Sequence, residues 1–96
     1  MELSNVAKKV PASIREIVVE KLMDLILNSK NAGNMPSGLA KTILYYWQRD
    51  VLTTDVGMER LLEAAVLLEP EATVTTLGNE LGLQEVAIML KEATIQ

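Results

Sequence analysis

Apolar residues recur at the three- and four-residue spacing of an α-helix through most of this chain. Four such stretches predict helices near residues 13–31, 37–52, 55–69 and 73–94. No segment shows the period-two alternation of β-branched residues that an antiparallel strand needs. Because the connections are short, we predict antiparallel neighbours and a compact four-helix bundle, one all-α domain over residues 1–96.

Turn and cap residues mark the ends of the predicted helices. Ser13 and Glu16 fit a capping box, in which the two residues satisfy each other's backbone donors at a helix start. Pro70 ends the third helix, because the residue before a proline is pushed away from helical angles. Glycines interrupt the fourth helix, so we expect a kink near Gly82. Residues 1–12 are predicted to be a loose or one-turn lead-in.

The third predicted helix is apolar around nearly its whole circumference. Residues 61–68 are broken only by Glu63. A helix of this kind either lies at the centre of a domain or turns one side towards another chain. The pattern therefore predicts a central position, or self-association through surplus apolar surface on this helix.

The composition removes most catalytic chemistry. The chain has no cysteine and no histidine, which excludes thiolate zinc sites, iron–sulfur clusters and Ser-His or Cys-His nucleophiles. Paired carboxylates are present, but nothing supplies an electrophilic partner for acid–base work. We therefore predict no enzyme and no cofactor other than a calcium ion, and a binding module whose partner is another protein or a second copy of the chain.

The chain offers no segment for a membrane or for export. The longest apolar runs, such as residues 64–68, have five residues and are far short of a membrane span. The N-terminus lacks the apolar stretch of a signal peptide. We expect a complete, cytoplasmic chain.

Charge is unevenly divided between the two halves of the chain. Residues 1–50 hold seven basic and five acidic residues, whereas residues 51–96 hold two basic and eight acidic ones. The acidic half is either a solvated face or a site for a hard cation such as calcium, which takes six to eight oxygen ligands. The candidate ligands do not match an EF-hand loop; they are Asp50, Asp55, Glu59 and the Thr53 and Thr54 carbonyls, with Glu69 and Glu71 as a second group.

Glu16, Glu20 and Asp24 stand one helical turn apart on the first predicted helix. Like charges at this spacing repel one another. The row is either an exposed face relieved by neighbouring basic residues, or a surface that holds a metal or receives a basic partner.

Lys41, Tyr45 and Arg49 form a second row on the second predicted helix, on the far side from Trp47 and the apolar stripe. Tyr45 either packs on a neighbouring helix or lies exposed. The functional alternative is a small cationic and aromatic patch for a partner, since tyrosine and arginine are favoured at contact hot spots.

Residues 75–93 resemble a helix-turn-helix. The resemblance lies in small and apolar residues at the motif's positions: Leu77, Gly78, Leu81, Gly82, Leu83 and Ile88. It implies a nucleic-acid binder. The second helix, however, carries Glu85 and Glu92 against Lys91 alone, where a DNA reader needs lysine and arginine. Nucleic acid is therefore not an expected partner.

The whole chain, from the lead-in through Pro36–Leu39 to Glu69–Glu71, resembles small uncharacterised archaeal proteins whose helices are arranged as in the saposin-like fold. The resemblance implies a compact four-helix arrangement and adds slightly to the case for calcium. The cysteines on which the saposin-like fold relies are absent here, so lipid handling and site residues are not carried over.

Overall fold

The computed structural model describes residues 2–94, and within that range it contains six α-helices and no strand. A π-helical turn, Thr76–Glu80, continues the fifth helix. The all-α prediction is confirmed, whereas the number of helices is six rather than the predicted four. The helices are α1 (Ser4–Lys9), α2 (Arg15–Leu27), α3 (Ser37–Gln48), α4 (Asp55–Leu68), α5 (Pro70–Thr75) and α6 (Gln84–Thr94).

Helix α4 lies at the centre of the molecule. Eight of its fourteen residues are buried, and α1, α2, α3 and α5 all pack against it. Of the two positions predicted for this helix, the central one is therefore the one observed. Among its large apolar side chains only Val56 and Leu67 are strongly exposed, so α4 has little surface left for a second copy.

The N-terminal segment contributes to the core. Leu3, Val6, Ala7 and Val10 are all buried, and α1 contacts both α4 and α6. The prediction of a loose lead-in is wrong, because these residues have helical spacing and each large apolar side chain gains about 1.5–3 kcal/mol on burial. Hydrogen bonding from the Ser4 side chain, and then from the Ser4 backbone N–H at 2.7 Å, holds the pKa of the Glu2 carboxylate below its usual value.

The starts of α2 and α4 are capped differently. The capping box predicted at Ser13 and Glu16 does not form: α2 begins at Arg15, without a side-chain cap. Residues Ala12–Ile14 instead make a 3₁₀ turn after Pro11, and this turn replaces the first residues of the predicted helix. At α4 the Thr54 hydroxyl accepts the Gly57 N–H at 3.2 Å, as an N-cap should.

Helix α3 ends earlier than predicted, at Gln48 instead of residue 52. Asp50 takes a left-handed conformation with φ 61°. The Val51 N–H bonds to the Tyr46 carbonyl at 2.9 Å, and the Asp50 N–H bonds to the Trp47 carbonyl at 3.1 Å. This is a Schellman motif with aspartate in the usual place of glycine, and it satisfies carbonyls that the helix end would leave free.

The fourth predicted helix, 73–94, is two helices. The chain turns at Gly82, which has φ 70°. Glycine adopts this conformation without steric cost. The predicted position of the kink is therefore correct. Instead of a kink within one helix, however, the chain has a break there, between the π-helical turn that follows α5 and the start of α6. The start also differs, since Pro70 is the first residue of α5 and suits that position because its missing N–H is not needed there.

Gly57 allows the first turn of α4 to lie directly against the backbone of the preceding loop. A Cβ at this position would overlap the carbonyl oxygen of Val51 and the Cα of Leu52. We expect Gly57→Ala to lower the free energy of unfolding by about 3 kcal/mol, because backbone must move to make room. Urea denaturation measures this value.

Gly38→Ala is the matched control. A Cβ at Gly38 meets nothing within 4 Å, so this variant should gain up to about 1 kcal/mol of stability from helix propensity. Equal effects of the two substitutions would contradict the close approach at Gly57.

Candidate functional site

An apolar groove runs between α2 and α3. Both helices pack against α4 and make few direct contacts with each other, so a channel of about 180 Å³ remains between them. Every residue that lines it is apolar: Met23, Ile26, Leu27, Met35, Ala40, Ile43, Leu44 and Trp47.

Three large side chains of this groove are open to solvent. Leu27 is 64% exposed, Leu44 50% and Trp47 53%. They come from both walls of one groove, which distinguishes them from single apolar residues scattered over a surface. Contiguous exposed apolar surface of this kind is typical of a site that contacts another molecule.

Trp47 divides the groove from a second hollow towards the start of α2. That hollow is lined by Glu16 and Val19 of α2 and by Trp47 and Asp50 at the end of α3. The end of α3 therefore lies beside the start of α2, and the two helices run antiparallel. The sequence pattern placed Trp47 on the apolar stripe of its helix, but the structure leaves half of the side chain in solvent.

The acidic row predicted on α2 lies on the solvent-exposed side of that helix. Glu16, Glu20 and Asp24 are all exposed. Over residues 2–94 none of the three takes part in an ion pair. Glu16 lines the second hollow beside Trp47, whereas Asp24 lines a different, polar groove.

The row predicted on α3 is also exposed, and two of its side chains, Tyr45 and Arg49, are in contact. Lys41, Tyr45 and Arg49 all lie at the surface, and the Arg49 guanidinium carbon lies 5.0 Å from the centre of the Tyr45 ring. This geometry is that of a cation–π contact. Within the described residues Lys41 and Arg49 make no ion pair, so both positive charges face solvent.

Arg15 occupies the place that the sequence offered to a cation. Its Nη1 lies 2.8 Å from the Asp55 carboxylate and donates to the Thr53 carbonyl at 3.0 Å. Two of the predicted calcium ligands, the Asp55 side chain and the Thr53 carbonyl, therefore bind a guanidinium. A metal ion at this position would have to displace an arginine side chain that is only 11% exposed.

The same guanidinium contacts two further groups, both backbone carbonyls near the end of α1. Its Nε donates to the Val10 carbonyl at 2.9 Å and its Nη2 to the Ala7 carbonyl at 3.0 Å. These carbonyls lie at the end of α1, where the helix dipole favours a positive charge, and the Ala7 carbonyl also accepts the Val10 N–H at 3.2 Å. We refer to this set of contacts as the Arg15 clasp. Sequence reasoning missed it, because its partners lie as far along the chain as Asp55, 40 residues away, and share no spacing pattern.

The other predicted metal ligands do not converge. Glu69 accepts hydrogen bonds from Ser29 Oγ at 2.6 Å and from Asn31 Nδ2 at 3.2 Å. Asp50 is the residue with left-handed backbone after α3. Glu71 lies exposed on α5. Glu59 stands one turn after Asp55. In the part of the chain that the structure describes, no three acidic side chains are placed to share a metal ion.

A wider polar groove lies beside Glu69, and no spacing pattern in the sequence indicates it. It measures about 660 Å³ and lies between α2, the loop after it and the π-helical turn. Lys21 Nζ and Glu80 Oε1 lie 4.0 Å apart across it, and Asp24, Lys30 and Glu69 also line it. Both signs of charge are present, so the groove has no clear preference for an anion or a cation.

In the segment that resembles a helix-turn-helix, α5 and its π-helical turn precede Gly82, and α6 follows it. The exposed positions of α6 include Glu85, Ile88, Lys91 and Glu92. Lys9 lies 3.9 Å from Glu85 and already partly neutralises it. This surface carries no excess of positive charge for a phosphate backbone.

No protein-family model, characterised protein or solved structure matches the chain. Over residues 2–94, none of the helices is both long and apolar enough to cross a bilayer.

Replacing Arg15 tests the clasp. Arg15→Met should lower the free energy of unfolding by about 2–3 kcal/mol, because buried carbonyls and the Asp55 carboxylate lose a charged donor. Thermal and urea denaturation measure the change. Arg60→Met is the control: Arg60 pairs with Glu63 at an exposed position, and its loss should cost no more than about 0.5 kcal/mol. Similar losses in both variants would contradict the clasp.

A calcium titration tests the predicted cation site. We expect the amide signals of residues 50–59 to stay unchanged in a nitrogen–proton correlation spectrum at millimolar calcium, because Arg15 holds the central ligands. Magnesium is the control ion, since it demands a stricter geometry than calcium. Localised, saturable shifts with calcium alone would establish the site and name its ligands.

Proposed function

We propose that this protein is a non-enzymatic interaction module, and that it binds a protein surface in the apolar groove between α2 and α3. The observation that carries the proposal is the exposure of Leu27, Leu44 and Trp47 on the walls of a groove with an entirely apolar lining. Covering side chains of this size would recover about 1 kcal/mol each, as roughly half of the value for complete burial.

The construction of the groove suits a protein ligand. Helices α2 and α3 are held apart on the rigid surface of α4, which is how grooves that accept an apolar helix face are usually built. Met23 and Met35 line it, and methionine adapts to different partner shapes. Tryptophan, here Trp47, is among the residues that contribute most to binding at interfaces.

The two alternative functions have less support. Weak calcium binding would need ligands to converge around Asp55, where the Arg15 guanidinium lies. Nucleic-acid binding through residues 75–93 would need positive charge on α6, where Glu85 and Glu92 stand against Lys91. The apolar groove needs no rearrangement of the chain to accept its ligand.

Photochemical cross-linking in the cells that make the protein tests the proposal. Leu44 is replaced by the photoreactive residue p-benzoylphenylalanine, and irradiation is followed by identification of the adducts by mass spectrometry. We expect protein adducts at this position because it lies on the groove wall. Ile88 on α6 is the matched control, since it is an apolar residue of similar exposure, 56% against 50%.

A second measurement excludes incidental neighbours. The protein found in the adduct, purified, should bind the wild-type chain and should bind the Leu44→Glu variant at least about tenfold more weakly, as expected for an interface hot spot. The same adducts at Leu44 and Ile88, or equal affinities for both chains, would refute an interaction site in the groove.

A further inference from the structure

We infer that the second hollow, beside Trp47, binds the side chain of a lysine that belongs to the protein in the groove. The inference rests on the proposed function for the source of this lysine. Six residues line the hollow: Glu16, Val19, Trp47, Asp50, Leu52 and Thr53. They combine an aromatic ring, apolar side chains and two carboxylates, and these three kinds of group together hold an ammonium ion and its carbon chain.

The apolar part of the lining suits the carbon chain of a lysine. Leu52 is buried and Val19 is half-buried, so these two residues form the deeper part of the hollow. Its volume is about 240 Å³, below the roughly 300–1,000 Å³ of sites that take whole small molecules. A space of this size accepts a single side chain. Lysine carries its charge on a flexible four-carbon stem, and such stems lie along apolar surface while the charged end stays in water.

Trp47 supplies a ring face for the cation. The residue is 53% exposed and borders both the hollow and the apolar groove. A tryptophan ring attracts a cation within about 6 Å of its centre, and does so better than tyrosine or phenylalanine. Arg49 does not occupy this place, because its guanidinium carbon lies 5.0 Å from the centre of the Tyr45 ring. Tyr45 and Trp47 are two residues apart, which is about 200° around the helix.

Two carboxylates make the hollow negative. Glu16 comes from α2 and Asp50 from the turn after α3, and both are exposed. Within the described part of the chain neither takes part in an ion pair, and none of the residues that line the hollow is basic. The Arg15 guanidinium donates to the Thr53 carbonyl, but the Asp55 carboxylate, 2.8 Å away, balances its charge.

The number of acceptors favours an ammonium ion over a metal ion. Calcium takes six to eight oxygen ligands, and two carboxylates fall well short of that number. A lysine ammonium has three donors, which two carboxylates and a water molecule satisfy. Because Trp47 borders both spaces, a protein that covers Leu44 in the groove can place a neighbouring lysine in the hollow. We therefore expect the ligand of the groove to carry a lysine beside its apolar residues.

Nitrogen–proton correlation spectra of the full chain measure the binding of a lysine side chain. The probe is Nα-acetyl-lysine amide, added to about 100 mM, which covers weak, millimolar binding. The control is Nα-acetyl-norleucine amide, which has the same four-carbon chain without the charge, and sodium chloride keeps the ionic strength equal. We expect saturable shifts at residues 16–19 and 50–53 and at the Trp47 indole N–H with the lysine probe alone.

Substitutions that remove charge test the two carboxylates. Glu16→Gln and Asp50→Asn should each weaken binding of the lysine probe about threefold, and together about tenfold, as for exposed ion pairs that act independently. Asparagine tolerates the left-handed backbone of position 50, so this variant keeps the fold. The control, Glu20→Gln with Asp24→Asn, removes the same charge from exposed positions outside the hollow and should leave binding unchanged.

Three results would overturn the inference. They are equal shifts with the lysine and norleucine probes, unchanged binding when Glu16 and Asp50 are both replaced, and tighter binding of Nα-acetyl-arginine amide, which would assign a guanidinium instead. None of them refutes the proposed function, which cross-linking at Leu44 tests separately. If the lysine probe binds but Leu44 gives no protein adduct, the proposed function fails and the cation site in the hollow stands.

Discussion

The fold depends on the enclosure of α4, a helix with apolar side chains on almost every side. No single neighbouring helix can cover such a surface, because a helix pair buries only one stripe of each partner. Helices α1, α2, α3 and α5 therefore surround it. The close approach at Gly57, where the preceding loop lies against the first turn of α4, completes this enclosure at one end.

The short helices around α4 need polar contacts at their ends, and Arg15 supplies these at the end of α1. Helix α1 has only six residues, so a large share of its backbone carbonyls lack partners within the helix. The Arg15 guanidinium binds the Ala7 carbonyl of α1, the Val10 carbonyl just after α1 and the Asp55 carboxylate at the start of α4. A single largely buried side chain thus joins α2 to both α1 and α4.

The groove follows from the same geometry. Helices α2 and α3 each direct their most apolar face towards α4, so the side chains at the edges of those faces have no helix to pack against. Leu27, Leu44 and Trp47 are such edge residues. The fold therefore leaves a groove whose apolar walls come from two different helices.

Local patterns in the sequence determined the helical class, the central place of the most apolar helix, the turn at Gly82 and the exposure of the rows that contain Glu20 and Tyr45. These features depend on residues within about one or two turns of one another, where helical spacing decides which side chains share a face. The same spacing was present at Leu3 to Val10 and could have revealed α1.

Only the tertiary structure decided the partners of Arg15, the distance between α2 and α3, and hence the groove. Asp55 looks like a metal ligand in the sequence because the basic residues nearest to it along the chain, Arg49 and Arg60, are five or six residues away. Its actual partner, Arg15, arrives from another helix through the packing of α1 and α2 on α4. Contacts of this kind depend on how whole helices pack against one another. The spacing of residues along the sequence does not show which helices will lie side by side.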